Sequence, residues 1–159
     1  MPTSLPVEQL RAAYAEWSDS GGMVFDRFLA LIGDDAAIGS VLDRHSPAPP
    51  AAPARGPEGA RAFISALTDT CEILQHVTGQ MVSQGDTIVW IGQCRLRNRA
   101  TGAEFDTPLI DVWRFDEAGK VASFYEMSDS LAFVAATTQA VPMQYDTPLA
   151  EQSAQPPAL

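Results

Sequence analysis

After Thr70 the hydropathy pattern of the chain changes to period two and holds it to about residue 129. Strand side chains alternate between faces, so this pattern specifies half-buried β-structure and excludes a long helix there. Four strands are predicted, at about 71–84, 86–98, 103–116 and 119–129. The turns between them are Gln84-Gly85-Asp86, Ala100-Thr101-Gly102 and Asp116-Glu117-Ala118-Gly119. Glycine in each supplies the positive φ that hairpin loops often need.

Upstream the period is helical. Leu10, Tyr14 and Trp17 recur at i, i+4 and i+7, which predicts a helix over about 6–18 that Gly21-Gly22 stops. A second helix is predicted over 23–33 with Gly33 as its cap, then an extended piece from Ala36 to Leu42. A third helix over 57–69 carries the stripe Ala60, Phe63, Ile64 and Leu67, with Pro57 in its first turn. Helices first and a meander of long strands last define an α+β fold, with the helices packed on one face of a curved antiparallel sheet. The proline-rich stretch 46–57 reads as a loop. Residues 1–132 are read as one domain and 133–159 as a partly flexible C-terminal tail.

Ten basic against twenty acidic residues leave a net charge of -10. Binding to a nucleic acid duplex or to anionic lipid needs the opposite balance, so neither partner is expected. The chain start lacks a basic, apolar leader, and no run is long enough to span a membrane, so a soluble cytoplasmic protein is expected. Two cysteines, Cys71 and Cys94, with no CxxC pair and no His/Cys cluster, suggest neither a zinc nor a redox site. Cys94 reads as a small core residue.

One stretch breaks the rule that charge stays outside. In Glu104–Phe115 the odd set is Phe105, Thr107, Leu109, Asp111, Trp113 and Phe115, which is the apolar face. Asp111 therefore points to the core. A buried carboxylate without partners costs several kcal/mol and tends to neutralise. Such violations concentrate at functional sites; a structural Asp bonded to a buried hydroxyl or to backbone N–H groups is the other reading. Counting back through the 100–102 turn sets Trp90 across from Asp111, either as core or as a pocket wall.

The run Leu109 to Val121, LIDVWRFDEAGKV, resembles the segment that carries the buried oxyanion-hole aspartate of ketosteroid isomerases. The polyketide cyclases (SnoaL-like) of the same nuclear-transport-factor-2-like superfamily place an acid/base aspartate at that point. Val7–Tyr14 resembles the isomerase helix with the oxyanion tyrosine, Gly33–Ala36 the acidic end of the second helix, and Arg55–Phe63 the opening of the third. The resemblance implies a cone-shaped barrel of three N-terminal helices closed by the curved sheet, a pocket between them, and a homodimer through the outer sheet face. It puts Asp111 on the oxyanion aspartate and Tyr14 on the oxyanion tyrosine, a pair that holds a protonated carboxyl in the isomerase. The isomerase base is replaced by Ser40, and Asp43 lies three residues on.

Register against the isomerase turns Phe124, Glu126 and Ser128 inward. Glu126 is then a second pocket carboxylate beside Asp111; a solvated place at a flared strand end is the alternative. Some superfamily members use a histidine on the strand that here carries His76. Parity places Ile73, Val77 and Met81 on the apolar face and His76 outside, unless a bulge reverses it.

The function these features imply is an isomerase or cyclase acting on a hydrophobic carbonyl compound, steroid- or polyketide-like, with no metal or organic cofactor. Asp111 and Tyr14 are the catalytic candidates, the tyrosine donating to a developing enolate. Glu126, His76, Asp43 and Ser40 stand behind them, and Trp17, Trp90, Trp113 and Phe124 are expected to line the pocket. Tyr14 shares the buried face of Leu10 and Trp17, so its hydroxyl is expected within reach of the Asp111 carboxyl. The rival reading is a non-catalytic ligand-binding or dimerisation module of the same fold. Ile110, Val112, Val89 and Ile91 form an apolar outer face that fits a dimer.

Overall fold

The computed structural model describes residues 4–43 and 54–138. Most of the proline-rich stretch and the tail beyond 138 lie outside them. Helix α1 is Ser4–Asp19 and α2 is Asp26–Leu31; strand β1 is Ile32–Ser40 and β2 is Ala54–Arg55. Helix α3 is Gly56–Thr70, followed by β3 Cys71–Gln84, β4 Thr87–Asn98, β5 Glu104–Phe115, β6 Val121–Ser128 and helix α4 Ser130–Thr138. The six strands form one sheet in the order β2-β1-β6-β5-β4-β3.

The meander is where alternation put it. Strands β3 to β6 pair antiparallel, and their turns carry Gly85, Gly102 and Gly119 at φ 60°, 74° and 76°. Leu109, Asp111 and Trp113 point inward on β5, and Ile88, Trp90, Cys94 and Leu96 on β4. Trp90 pairs with Asp111, as counting through the turn predicts.

Three expectations change. The second helix is six residues long, because Ile32, expected to be helical, instead opens β1 and pairs with Val121 of β6. Gly33 is no helix cap: a Cβ there would lie 2.8 Å from the Val121 carbonyl oxygen, so glycine permits the strand approach. Sheet pairing overrides the local helical period here. The sheet is also not wholly antiparallel, since β1 runs parallel to β6. The N-terminal region thus holds one long helix and one short one, and α3 follows only after β1 and β2. Helix α4 runs across residue 132 with Ala132, Phe133 and Ala136 buried, and Thr101 Oγ1 donates to the Ala136 carbonyl at 2.7 Å.

A core of aromatic and aliphatic side chains fills the space between the sheet's concave face and the helices. One part of that space is left open, and the unusual polar residues gather there.

Candidate active site

The cavity is bounded by α1 (Tyr14, Trp17), α3 (Phe63, Ile64), the inner faces of β3 to β6, and Phe133 of α4. Its volume is about 80 Å³, room for several waters. Nearly all of the wall is apolar. The exceptions are Tyr14, His76, Cys94, Asp111 and Glu126.

Asp111 and Glu126 are cross-strand neighbours on β5 and β6, 5% and 8% exposed. Phe124 and Glu126 face inward, as the register against the isomerase implied, and Glu126 is buried and not solvated at a flared strand end. Tyr14, 3% exposed, donates its hydroxyl to Asp111 Oδ2. Trp113 Nε1–H in turn donates to the Tyr14 oxygen at 2.9 Å. The other carboxyl oxygen, Asp111 Oδ1, is buried and finds no hydrogen-bond partner among the described residues. Trp113 is fixed from both sides, stacked on Phe28 at 5.6 Å and tilted against Phe124 at 4.4 Å. A relay from indole to phenol to carboxylate is therefore held by packing.

Burial raises the pKa of both carboxyls, and for Glu126 the neighbouring Asp111 charge raises it further. The Tyr14 hydrogen bond works the other way on Asp111 by supporting its ionised form. No Lys or Arg is among the described residues that line the cavity. The Tyr14 phenol is pushed well above its ordinary range, first by burial and then by the Asp111 charge. It stays protonated and donates to the carboxylate. Its proton is thus committed to Asp111, whereas the sequence led to the expectation of a donor free for the substrate.

His76 is on the cavity wall, and the reason is a bulge. Pairing of β3 with β4 shifts between Ile73 and Gln75 and again between Thr78 and Gln80. Ile73 and Met81 face inward with Leu96 and Trp90, but between the two shifts it is His76 that pairs with inward Cys94, while Val77 pairs with outward Gln93. Strict parity had put His76 outside and Val77 inside. Burial pushes the imidazole down to about 4. The Cys94 thiol, on the same wall, is pushed above its ordinary value by burial.

Two expected site residues stand apart. Asp43 accepts the Ser40 backbone N–H at 3.0 Å through Oδ2, and Ser40 Oγ accepts from Leu42 N–H at 3.1 Å. Both serve the turn that ends β1, and neither lines the cavity. Of the four aromatic residues expected on the wall, Trp17, Trp113 and Phe124 are there. Trp90, 0% exposed, lies one layer behind, stacked on Tyr14 at 4.4 Å and on His76 at 4.9 Å. The wall also includes Phe28, Phe63 and Phe133, and Ser18 stands behind it as the partner of His76. Ser18 follows Tyr14 by one helical turn, the spacing that could have revealed it. Phe133 gave no such signal.

Among the described residues no group of three or more His, Cys, Asp or Glu is arranged to hold a metal, and no helix is long and apolar enough to cross a membrane.

A helix-backed curved sheet enclosing an apolar pocket is the NTF2-like architecture. This chain belongs to the SnoaL-like domain family, whose model matches residues 10–124. An NTF2-like protein of unknown function from Burkholderia pseudomallei is similar in structure, with a TM-score of 0.68 and 20% identity over 82% of this chain and 98% of that one. A protein from Mesorhizobium loti described as a SnoaL-like polyketide cyclase gives 0.61 and 16%, over 76% and 96%. TerC, co-crystallised with polyporic acid, gives 0.64 and 17%, over 80% and 94%. At these identities the likeness is one of fold. No curated protein matches the chain.

Proposed function

We propose that this protein is an acid/base enzyme of the isomerase or cyclase type, acting on a hydrophobic carbonyl compound. The observation that carries this reading is the pair Asp111–Glu126, facing each other across two strands inside an apolar cavity. Two buried carboxyls this close do not both ionise near neutral pH, so they divide into one acid and one base. The Tyr14 hydrogen bond favours charge on Asp111. Asp111 is therefore the base and Glu126 keeps the proton.

In this scheme the ionised Asp111 takes a proton from the carbon next to the substrate carbonyl. Protonated Glu126 donates a hydrogen bond to the oxygen on which enolate charge develops, the kind of stabilisation that usually supplies the largest share of catalysis. Asp111 then returns the proton to another carbon, or the enolate carbon adds to a second carbonyl carbon of the substrate, whose π bond opens to an alkoxide that takes the proton back from Asp111. Tyr14, oriented by Trp113, steadies the base and drops to a supporting role. Ser40 and Asp43 take no part. The structure of TerC with polyporic acid and the polyketide-cyclase description of the Mesorhizobium relative support an apolar, oxygen-bearing ligand. Homodimerisation through the outer sheet face belongs to the same proposal.

The test is hydrogen–deuterium exchange at the α-carbon of 2-tetralone, followed by NMR. Wild-type protein accelerates the exchange, and Asp111→Asn lowers that acceleration by roughly 10²–10⁴-fold. Binding of the ketone without any accelerated exchange would instead establish the non-catalytic ligand-binding module, the reading favoured by Ser40 standing where the isomerase has its base.

A further inference from the structure

His76 takes no part in the chemistry just described, yet the fold spends two β-bulges on turning it inward. Bulges of this kind re-aim a side chain and recur beside active sites. The second bulge is permitted by Gly79, where a Cβ would lie 2.2 Å from the Ile91 carbonyl oxygen. Once inside, the ring is held on two sides. It stacks nearly parallel on Trp90, with centroids 4.9 Å apart and planes 11° apart. Its Nδ1 lies 2.7 Å from Ser18 Oγ. That leaves Nε2: among the described residues no hydrogen bond reaches it, and the residue lines the cavity. His76 stands on β3, two strands from Asp111; its partner Cys94 pairs with Thr107, four residues along β5 from Asp111, and its ring centroid lies 6.1 Å from that of Tyr14.

Resting on the carboxylate reading above, we propose that the Ser18–His76 pair is a second hydrogen-bonding pole of the cavity, selecting apolar ring compounds with a hydroxyl group at the end opposite the oxygen held at Asp111 and Glu126. A neutral imidazole offers one donor and one acceptor nitrogen, and the Ser18 bond ties up Nδ1 in either tautomer. Nε2 then presents either a donor or an acceptor, and a ligand hydroxyl answers both. A carbonyl or ether would answer only one. Apart from Cys94 and from Tyr14, whose hydroxyl is bound to Asp111, the remaining wall is apolar, so the ligand skeleton between its oxygens must be apolar as well. Ser18 is a positioning residue and His76 a specificity-determining one.

The experiment measures affinity for 2-naphthol and for naphthalene-2,6-diol by quenching of tryptophan fluorescence. The wild type is expected to prefer the diol by roughly 3–10-fold, the value of one net hydrogen bond. His76→Phe, which keeps a ring over Trp90, abolishes the preference and leaves 2-naphthol affinity in place. His76→Gln restores part of it. Ser18→Ala reduces the preference and shifts the ¹⁵N resonances of the imidazole, a signature that a merely structural serine would not move. A wild type with no preference, or a His76→Phe variant that retains it, overturns the proposal, whatever Asp111→Asn does. An Asp111→Asn variant that accelerates exchange of the ketone as the wild type does overturns the carboxylate reading and leaves the His76 pole standing. Failure of the wild type to bind either probe overturns both.

Discussion

Asp111 and Glu126 are costly to bury, because each gives up water and no Lys or Arg is among the described residues on the cavity wall. Their folded-state pKa values are raised above those of the unfolded chain, which lie at about 4. For an acid with a raised folded value, the unfolded state releases its proton first as pH climbs. The pair therefore costs the fold nothing below about pH 4 and costs progressively more from there up to the raised folded values. Asp111→Asn and Glu126→Gln should each raise thermal stability at pH 7 to 8, by roughly 1–3 kcal/mol, and leave it unchanged near pH 4. Denaturation curves at both ends of that range measure the difference; an equal gain at pH 4 would show that the carboxyl charge is not its source. His76 has the opposite sign. Its value is depressed from the ordinary histidine range to about 4, so its contribution is lost as pH falls between these two values. A carboxamide in place of His76 should flatten that part of the profile.

Strand β3 is the element on which the site turns. Its two shifts of register bring His76 in and put Val77 out, and Gly79 makes the second possible by leaving room for the Ile91 carbonyl. Gly79→Val should cost about 2–3 kcal/mol and loosen the Ser18–His76 contact, read as lost stability and as a moved imidazole ¹⁵N resonance. Unchanged histidine resonances would mean that the first bulge alone holds the ring. Helix α4 is the other deciding element. Phe133 is buried, packs edge-on to Phe105 at 4.9 Å and lines the cavity. Phe133→Ala should cost about 3 kcal/mol and raise the affinity for bulkier ring ligands, since the truncated wall opens that end of the cavity. A variant as stable as the wild type would show that α4 only rests on the sheet.

At the scale of the molecule the outer face of the sheet is the unfinished surface. Val89, Ile91, Ile110 and Val112 are half-buried there, and Tyr125 and Met127 beside them are 43% and 39% exposed. Arg95–Asp106 and Arg97–Glu104 ion pairs border this apolar area on the same face. An apolar centre with a charged rim is the make-up of a protein interface. A homodimer through this face should sediment at twice the chain mass at micromolar concentration, and Ile110→Glu should yield a folded monomer. A wild-type monomer under those conditions contradicts the dimer and leaves the cavity chemistry untouched.

Some of this was legible in the residues alone. Alternation is a local property, so strands β3 to β6, their glycine turns and the inward placement of Asp111 follow from parity, and counting through one tight turn set Trp90 opposite Asp111. The pattern of Leu10, Tyr14 and Trp17 likewise put the phenol on the buried face of α1. Other features depend on partners distant in the chain. Ile32 left its helix because Val121 offered a strand edge. His76 turned inward because two residues of β3 went unpaired, and parity carries no record of a bulge. Phe133 became a wall because α4 folds back toward β5. The direction of the Tyr14 proton was settled by an acceptor on β5 and an indole donor two residues beyond it. Periodicity reports which face a side chain shares with its near neighbours. Which group it meets across the cavity is decided by register, bulges and chain reversal, and those are set by the packing of the whole.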